Sequence, residues 1–343
     1  ILLDKNPDPV YIQIWGGTNT VARALKSIEE NFSNTAQWSE IKSAVSKKTI
    51  LYAILDQDAT YKKYIEPNWP EIRVLYNAAQ FWNFAYPWKQ VVPEKLQHLL
   101  EGKWFDENIR QHHGALAGKY YLWGDGRQIE NDPEHYHGDT TQLKKYGMHQ
   151  YDFISEGDSP AFFHLIQTGL GNLDHPEYGG WGGRLVKSSN PFRWEDGENV
   201  TDWNPLTGKP DQAWPQTRWI EVLQNDLAAR ADWCVMNYNQ ANHPPFVKNQ
   251  SPVFLFGKRG STMKLNASAS DPDKDKLNFS WWQYTEAGTS AAQVKILQPE
   301  KIKTQVMIPE DAKSGETIHL VLSVTDESVP PLTRYQRVVI TVE

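Results

Sequence analysis

The sequence predicts two folds in series: an α/β domain with a mostly parallel sheet flanked by helices over residues 1–243, and an all-β, Ig-like sandwich over residues 244–343. Three observations carry this. A length of 343 residues suits two domains. In the first part, short apolar runs alternate with stretches of helical periodicity, the pattern of strands covered on both faces. From Pro252 onward the chain becomes about seven short alternating strands separated by turn residues, the signature of a sandwich.

Residues 10–15 read as the first strand. Gly16 and Gly17 follow, and Thr18 is placed to cap a helix from about Asn19. That helix carries Val21, Leu25 and Ile28 on one face and Arg23, Lys26 and Glu30 outside it. Residues 49–55 form a second apolar run ending in Asp56, Gln57 and Asp58. Residues 72–76 form a third, ending at Asn77, and residues 151–155 a fourth, ending in Glu156, Gly157 and Asp158. A helix follows over 159–168, with Gly169 as its stop. A long helix over 212–231 then feeds a last strand over 233–236. The intervening stretches 85–150 and 171–212 are irregular and aromatic, as binding loops and lids are. The sandwich strands are expected at 253–256, 262–266, 277–283, 293–297, 304–308, 317–325 and 334–342.

The net charge of −7, without a basic stripe, argues against a nucleic-acid partner. No run of about 18 apolar residues is present, so no membrane span is expected. The single cysteine, Cys234, excludes an internal disulfide and a cysteine-based zinc site. Fifteen Trp, 15 Tyr and 12 Phe point instead to apolar walls and stacking faces. Trp181, set among Gly179, Gly180, Gly182 and Gly183, reads as an exposed ring. It joins Trp82 and Trp88 as candidates for stacking on sugar.

In open α/β sheets, ligands bind at the carboxyl ends of strands. Four such ends carry polar groups here, which nominates Asn19, Asp56, Asp58, Asn77, Glu156 and Asp158. Asp56 and Asp58 suit a base, a grip on sugar hydroxyls, or caps for the next helix. Asn77 suits a sugar hydroxyl or a turn. Glu156 and Asp158 form a carboxylate pair of the kind that cleaves glycosidic bonds; Glu156 alone also suits a loop hydrogen bond. Arg184 suits an acidic sugar or a buried Asp. The adjacent His112 and His113 suit a loop surface better than a metal site, since adjacent side chains diverge. His243, in Asn242-His243-Pro244-Pro245, either reaches the pocket or locks the connection to the sandwich.

The run from Leu265 through Asp271-Pro272-Asp273-Lys274-Asp275 to Trp281 resembles the opening of polycystic-kidney-disease-type and cadherin-like modules, with Lys274 where Gly is usual. Asp271, Asp273 and Asp275 suit calcium or, more simply, a tight turn with Asx hydrogen bonds.

The strand–turn–helix from Ile12 to Leu25, with Gly16-Gly17-Thr18-Asn19 at its turn, is similar to a segment of nucleoside hydrolases. With Asp56-Gln57-Asp58, Glu156-Gly157-Asp158-Ser159-Pro160, Gly180-Trp181-Gly182-Gly183-Arg184, Arg230-Ala231-Asp232-Trp233 and Asn242-His243-Pro244-Pro245, it resembles a family of secreted proteins described as cellulose-binding. These carry a nucleoside-hydrolase-like domain and a C-terminal sandwich. The resemblance implies an exported protein, extracellular or periplasmic, that takes a polysaccharide or oligosaccharide as partner. It implies a calcium cofactor held by Asp158 and the Trp15 backbone carbonyl, and hydrolysis of glycosidic bonds there. The N-terminal Asp cluster that completes such a calcium site is not in this chain. That leads to the expectation of a further N-terminal segment, with that segment or a second copy covering the first strand. The His that precedes the late Asp in nucleoside hydrolases is replaced by Gly157. The alternative is therefore a non-catalytic polysaccharide-binding protein on an eroded hydrolase scaffold, and a true nucleoside hydrolase ranks third.

Overall fold

Strand β1 (Val10–Ile14) runs parallel to β2 (Thr49–Ile54), and β2 runs parallel to β3 (Arg73–Asn77). In the computed structural model, which describes residues 1–85, 87–122, 140–145, 147–149, 152, 156–249 and 253–343, two short strands complete this sheet. They are β4 (Val186–Lys187) and β5 (Arg193–Glu195), giving the order β1-β2-β3-β5-β4. β5 is parallel to β3, and β4 is antiparallel to β5.

The centre of the sheet is β2, all six of whose residues are buried. Strand side chains alternate between faces. Leu51 and Ala53 pack on one side against helices α1 (Asn19–Phe32) and α2 (Trp38–Lys48), through Ala22, Leu25, Ile28 and Val45. Tyr52 and Ile54 pack on the other side with Leu75, Phe81, Ala161 and Leu185. A strand buried on both faces must be apolar throughout, which is why 49–55 was legible. Each fully buried Leu or Ile contributes roughly 1.5–3 kcal/mol.

A two-stranded hairpin follows, β6 (Asp202–Asn204) with β7 (Lys209–Asp211). The C-terminal part is a sandwich of two four-stranded sheets. One sheet comprises β8 (Phe246–Asn249), β10 (Thr262–Ser270), β12 (Lys295–Ile296) and β13 (Lys303–Met307). The other comprises β9 (Phe254–Gly257), β11 (Leu277–Gln283), β14 (Thr317–Asp326) and β15 (Thr333–Val342). Leu265 and Val306 from the first meet Trp281, Leu320, Leu322, Val338 and Ile340 from the second in one core. Lys274 has a left-handed backbone, φ 70°, a conformation that favours Gly.

Three elements differ from expectation. The strand over 233–236 does not form. The helix Ile220–Trp233 runs into that stretch, and Val235 and Met236 return their N–H groups to the Asp232 carbonyl in a further turn. Both side chains are exposed, so no sheet face is available to reward an extended form. The long helix is also broken, with Trp214–Thr217 as a separate turn before Ile220. The helix after Asp158 spans only Ser159–Phe163. The strand expected at 151–155 lies outside the described residues, apart from Asp152.

The two parts share a core. Trp219, Ile220 and Leu223 pack with Tyr284, Ala287, Val321 and Tyr335 of the sandwich. Fully buried Asp202 accepts from Arg184 at 2.7 and 3.0 Å, from the Tyr284 hydroxyl at 2.6 Å, and from Arg218 at 3.4 Å. The Arg218 guanidinium lies 4.7–5.1 Å from the ring centres of Tyr284, Trp219 and Trp282. Arg337, buried in β15, donates to the carbonyls of Leu170, Tyr178 and Gly179 and to the His319 Nδ1. Burial holds the Arg337 guanidinium down at about 10.

Candidate functional site

The turns after β1, β2 and β3 are each held by a carboxylate that accepts backbone N–H groups. Asp58 accepts from Thr18 at 3.1 Å, Asn19 at 2.9 Å and Thr60 at 3.0 Å, and from the Thr18 hydroxyl at 3.3 Å. It therefore caps α1 from across the sheet, a task expected of the Thr18 side chain, which makes no cap bond itself. Burial pushes the Asp58 carboxyl up, but the amides of Thr60, Asn19 and Thr18 outweigh it and hold the group below its ordinary value. Asp56 accepts from the Tyr61 and Lys62 amides, both at 3.0 Å. Asp196, which sequence reasoning missed, accepts from Ala78, Ala79 and Gln80 at 2.6–3.0 Å and so fixes the turn after β3. Leu55 and Ala59 sit at φ 62° and 59°, so the Asp56–Asp58 loop between them is strained.

This bonding explains Gly17. A Cβ there would lie 2.1 Å from the Asp58 Oδ2, whereas Gly16 has open space around it. Gly17→Ala is expected to displace the Asp58 carboxylate and lower stability by about 1–3 kcal/mol. Gly16→Ala should be near neutral. Thermal denaturation of both variants checks this, and equal shifts would contradict it.

Several nominated residues are placed away from any exposed site. Asn77 is fully buried, with its amide donating to the Tyr52 hydroxyl and accepting from the Phe81 N–H. A sugar therefore finds neither end free. Arg184 is spent on Asp202. Trp88 is fully buried and Trp181 is 2% exposed. The glycines around Trp181 serve close approach rather than ring exposure: a Cβ on Gly183 would meet the Gln80 Oε1 at 1.8 Å, and one on Gly182 the Pro160 carbonyl at 2.6 Å. His243 takes the second of its two roles. It bonds Asp273 in the sandwich turn and stacks between Tyr238 and Trp233, at 3.9 and 5.7 Å, locking the connection. His113 pairs with Asp232 at 2.9 Å and His112 is on the surface.

Glu156 accepts hydrogen bonds from the hydroxyls of Tyr120, at 2.6 Å, and Ser159. Burial pushes its carboxyl up; the Ser159 and Tyr120 hydroxyls oppose this, and the charge of Asp158 adds to it. Asp158 precedes the helix Ser159–Phe163, and burial raises its carboxyl as well. No hydrogen bond to its side chain occurs among the described residues. Trp15 and Asn19 are exposed at the end of β1.

For calcium, the Trp15 carbonyl and Asp158 would supply two donors. A hard cation takes six to eight oxygens. Among the described residues, the one group of three acidic side chains with ligand atoms within 4.8 Å is Asp271, Asp273 and Asp275 in the sandwich. There the Asp271 Oδ1 already accepts the amides of Asp273 and Asp275. By themselves the Trp15 carbonyl and Asp158 fall short of the number of oxygens the ion takes.

The open cleft lies elsewhere, between the turn after β3 and the hairpin β6–β7. It encloses about 490 Å³. Its lining includes Trp82, 40% exposed, and Pro210, with Asn83, Gln90, Lys209, Asp211 and Gln212. Asp211 is held in place by the Asn204 amide at 2.8 Å and the Ala213 N–H at 2.9 Å. Trp203 is directly opposite Pro210 across the hairpin and so stands on the same face. It is 54% exposed. Trp203 was missed because the stretch 171–212 read as irregular. The turn residues Asn204, Pro205, Thr207 and Gly208 between Trp203 and Pro210 were the available hairpin signal.

The family model for the nucleoside hydrolase-like domain of cellulose-binding Sde182 matches residues 1–185, more than half of the chain. The chain belongs to the cellulose-binding Sde182 family. The model for the C-terminal domain of cellulose-binding protein Sde0182 matches residues 262–342, so both halves carry the same family assignment. Among solved structures, this Sde182-family chain is similar over its entire length to a nucleoside hydrolase-related hypothetical protein from Saccharophagus degradans. That protein is described as associated with carbohydrate metabolism. Identity is 27% and the TM-score 0.70, covering 100% of this chain and 73% of that chain. Titin domain M7 aligns with 30% of this chain and 96% of its own, at 12% identity and a TM-score of 0.20. A PKD domain aligns with 28% of this chain and 87% of its own, at 14% identity and 0.21. Similarity at that level carries no argument about the sandwich. No curated protein matches the chain. Among the described residues, no helix is long and apolar enough to cross a membrane.

Proposed function

We propose that this chain is a cellulose-type polysaccharide-binding protein that works outside the cell, and that the sugar chain lies in the cleft walled by Trp82. The observation that carries the reading is the cleft's composition. An exposed indole face and a proline offer apolar surface to the C–H faces of a pyranose ring, while amides, a carboxylate and a lysine meet its hydroxyls. Membership of a family described as cellulose-binding supports the same ligand class. The strand-end carboxylates Asp56, Asp58 and Asp196 support binding over hydrolysis, because they are occupied in holding backbone.

Hydrolysis is retained as a second reading on one observation, an Asp158 carboxyl that burial raises and that accepts no hydrogen bond among the described residues. A general acid needs such a group.

Depletion of the protein by insoluble cellulose tests the first reading. Trp82→Ala is expected to weaken binding at least about tenfold, as truncation of a central Trp does; Trp203→Ala should weaken it less. Retained binding in Trp82→Ala would remove the cleft from consideration. Sugar release that requires calcium and is lost in Asp158→Ala would replace the binding reading with the catalytic one.

A further inference from the structure

The short helix Ser159–Phe163, the helix Ile220–Trp233 and residues 100–120 line a second cavity, of about 210 Å³, which opens to solvent beside the exposed Phe162 and Leu227. Its walls are Phe84, Phe105, Phe163, Ile220 and Leu223, and it shares no lining residue with the Trp82 cleft. At one end stands Glu156, with the Tyr120 and Ser159 hydroxyls donating to its two oxygens. A carboxylate has about four acceptor positions, so two are left.

The shape and chemistry select against a sugar. A pyranose carries hydroxyls around its whole edge, and each one buried without a partner costs about 1–3 kcal/mol. Here the polar groups in the lining are those of Glu156, Tyr120 and Ser159, which bond one another, and Gln224, whose amide donates to the Leu99 carbonyl; the other lining side chains are hydrocarbon. A dry apolar cavity of about 150 Å³ is large enough for benzene, so this one has room for a single aromatic ring bearing a small substituent. One O–H on that ring, aimed at Glu156, would add a third donor to the two hydroxyls the carboxyl already accepts.

We propose that this cavity binds a monocyclic phenol, with its ring against the Phe and Leu walls and its hydroxyl donating to Glu156. The site goes beyond the polysaccharide reading and does not depend on it.

Titration of the full chain with phenol and with toluene, read by calorimetry, tests the assignment. Phenol should saturate at one equivalent, and toluene, which has the same shape without the O–H, should bind at least about tenfold more weakly. Glu156→Leu should abolish that preference. Leu223→Trp fills the cavity and should abolish binding of both. Ile109→Phe, a smaller filling from another wall, serves the same purpose if Leu223→Trp does not fold, as judged by circular dichroism. Absence of saturable phenol binding, equal affinity for toluene, or unchanged binding in a folded cavity-filling variant would each overturn the proposal.

Discussion

Asp202→Ala is expected to lower folding stability by about 3–5 kcal/mol, the largest effect of any single change outside the apolar cores. The reason is what it leaves behind. Arg184 is 7% exposed and would keep its charge without a counter-ion, and the Tyr284 hydroxyl and Arg218 would each lose an acceptor. Breaking one side of a buried pair is far more damaging than the pair's net contribution. The loss corresponds to a fall in melting temperature of roughly 10 °C. It should also change the shape of the transition. Asp202 ties the α/β part to the sandwich through Tyr284, so the native chain should melt once, and Asp202→Ala should melt in two separable steps. Calorimetry reads both quantities. Two resolved transitions in the native chain, or a loss under about 1 kcal/mol in the variant, would count against this account.

The second large effect is acid lability. His319 is buried in β14, with its Nδ1 facing the Arg337 guanidinium and its ring edge-on to Tyr178. Burial, the positive charge of Arg337 and that of His175 push it down to about 3. His164 is pushed down to about 4, mainly by burial. A histidine held neutral in the folded state stabilises fully above its unfolded value near 6.5. That contribution is lost as pH falls, because the unfolded chain takes up a proton that the folded chain refuses. Each lowered histidine should therefore account for about 2–3 kcal/mol of lost stability between neutral pH and pH ~4.5. The raised carboxyls of Glu156, Asp158 and Asp196 act in the opposite sense, since their folded forms hold protons more readily than the unfolded chain does. The clean measurement is a difference: denaturant unfolding of native and His319→Gln at several pH values. The native curve should fall more steeply on acidification; parallel curves would show that His319 is not the group that titrates.

Much of the first half of the sheet was legible, because a strand buried on both faces has no choice but to be apolar. Residues 10–15, 49–55 and 72–76 announced β1, β2 and β3 within a residue or two. The sandwich strands from residue 253 onward were legible through alternation and turns, whereas β8, Phe246–Asn249, was not expected. β5 was not, since its three residues, Arg193–Glu195, are polar or aromatic and only partly buried. The site was harder still. An Asp at a strand end looks the same in sequence whether it meets a ligand or three backbone amides. The distinction at Asp58 rests on Thr18 and Asn19, some forty positions away. Trp82 and Trp181 likewise differ only in what folds over them. The Gly-rich flanks of Trp181 were read as openness, and at Gly179, Gly182 and Gly183 they mark the opposite, a backbone packed too tightly for a Cβ.

The join through Asp202, Arg337 and Tyr335 also bears on how the protein meets a solid. Two modules on a slack tether search for their footholds separately, and each gives up orientational freedom on landing. A single stiff body gives it up once. On the proposed polysaccharide-binding reading, the shared core and the buried Asp202 and Arg337 contacts would fix the Trp82 cleft relative to the sandwich before contact, so that orientation is given up once.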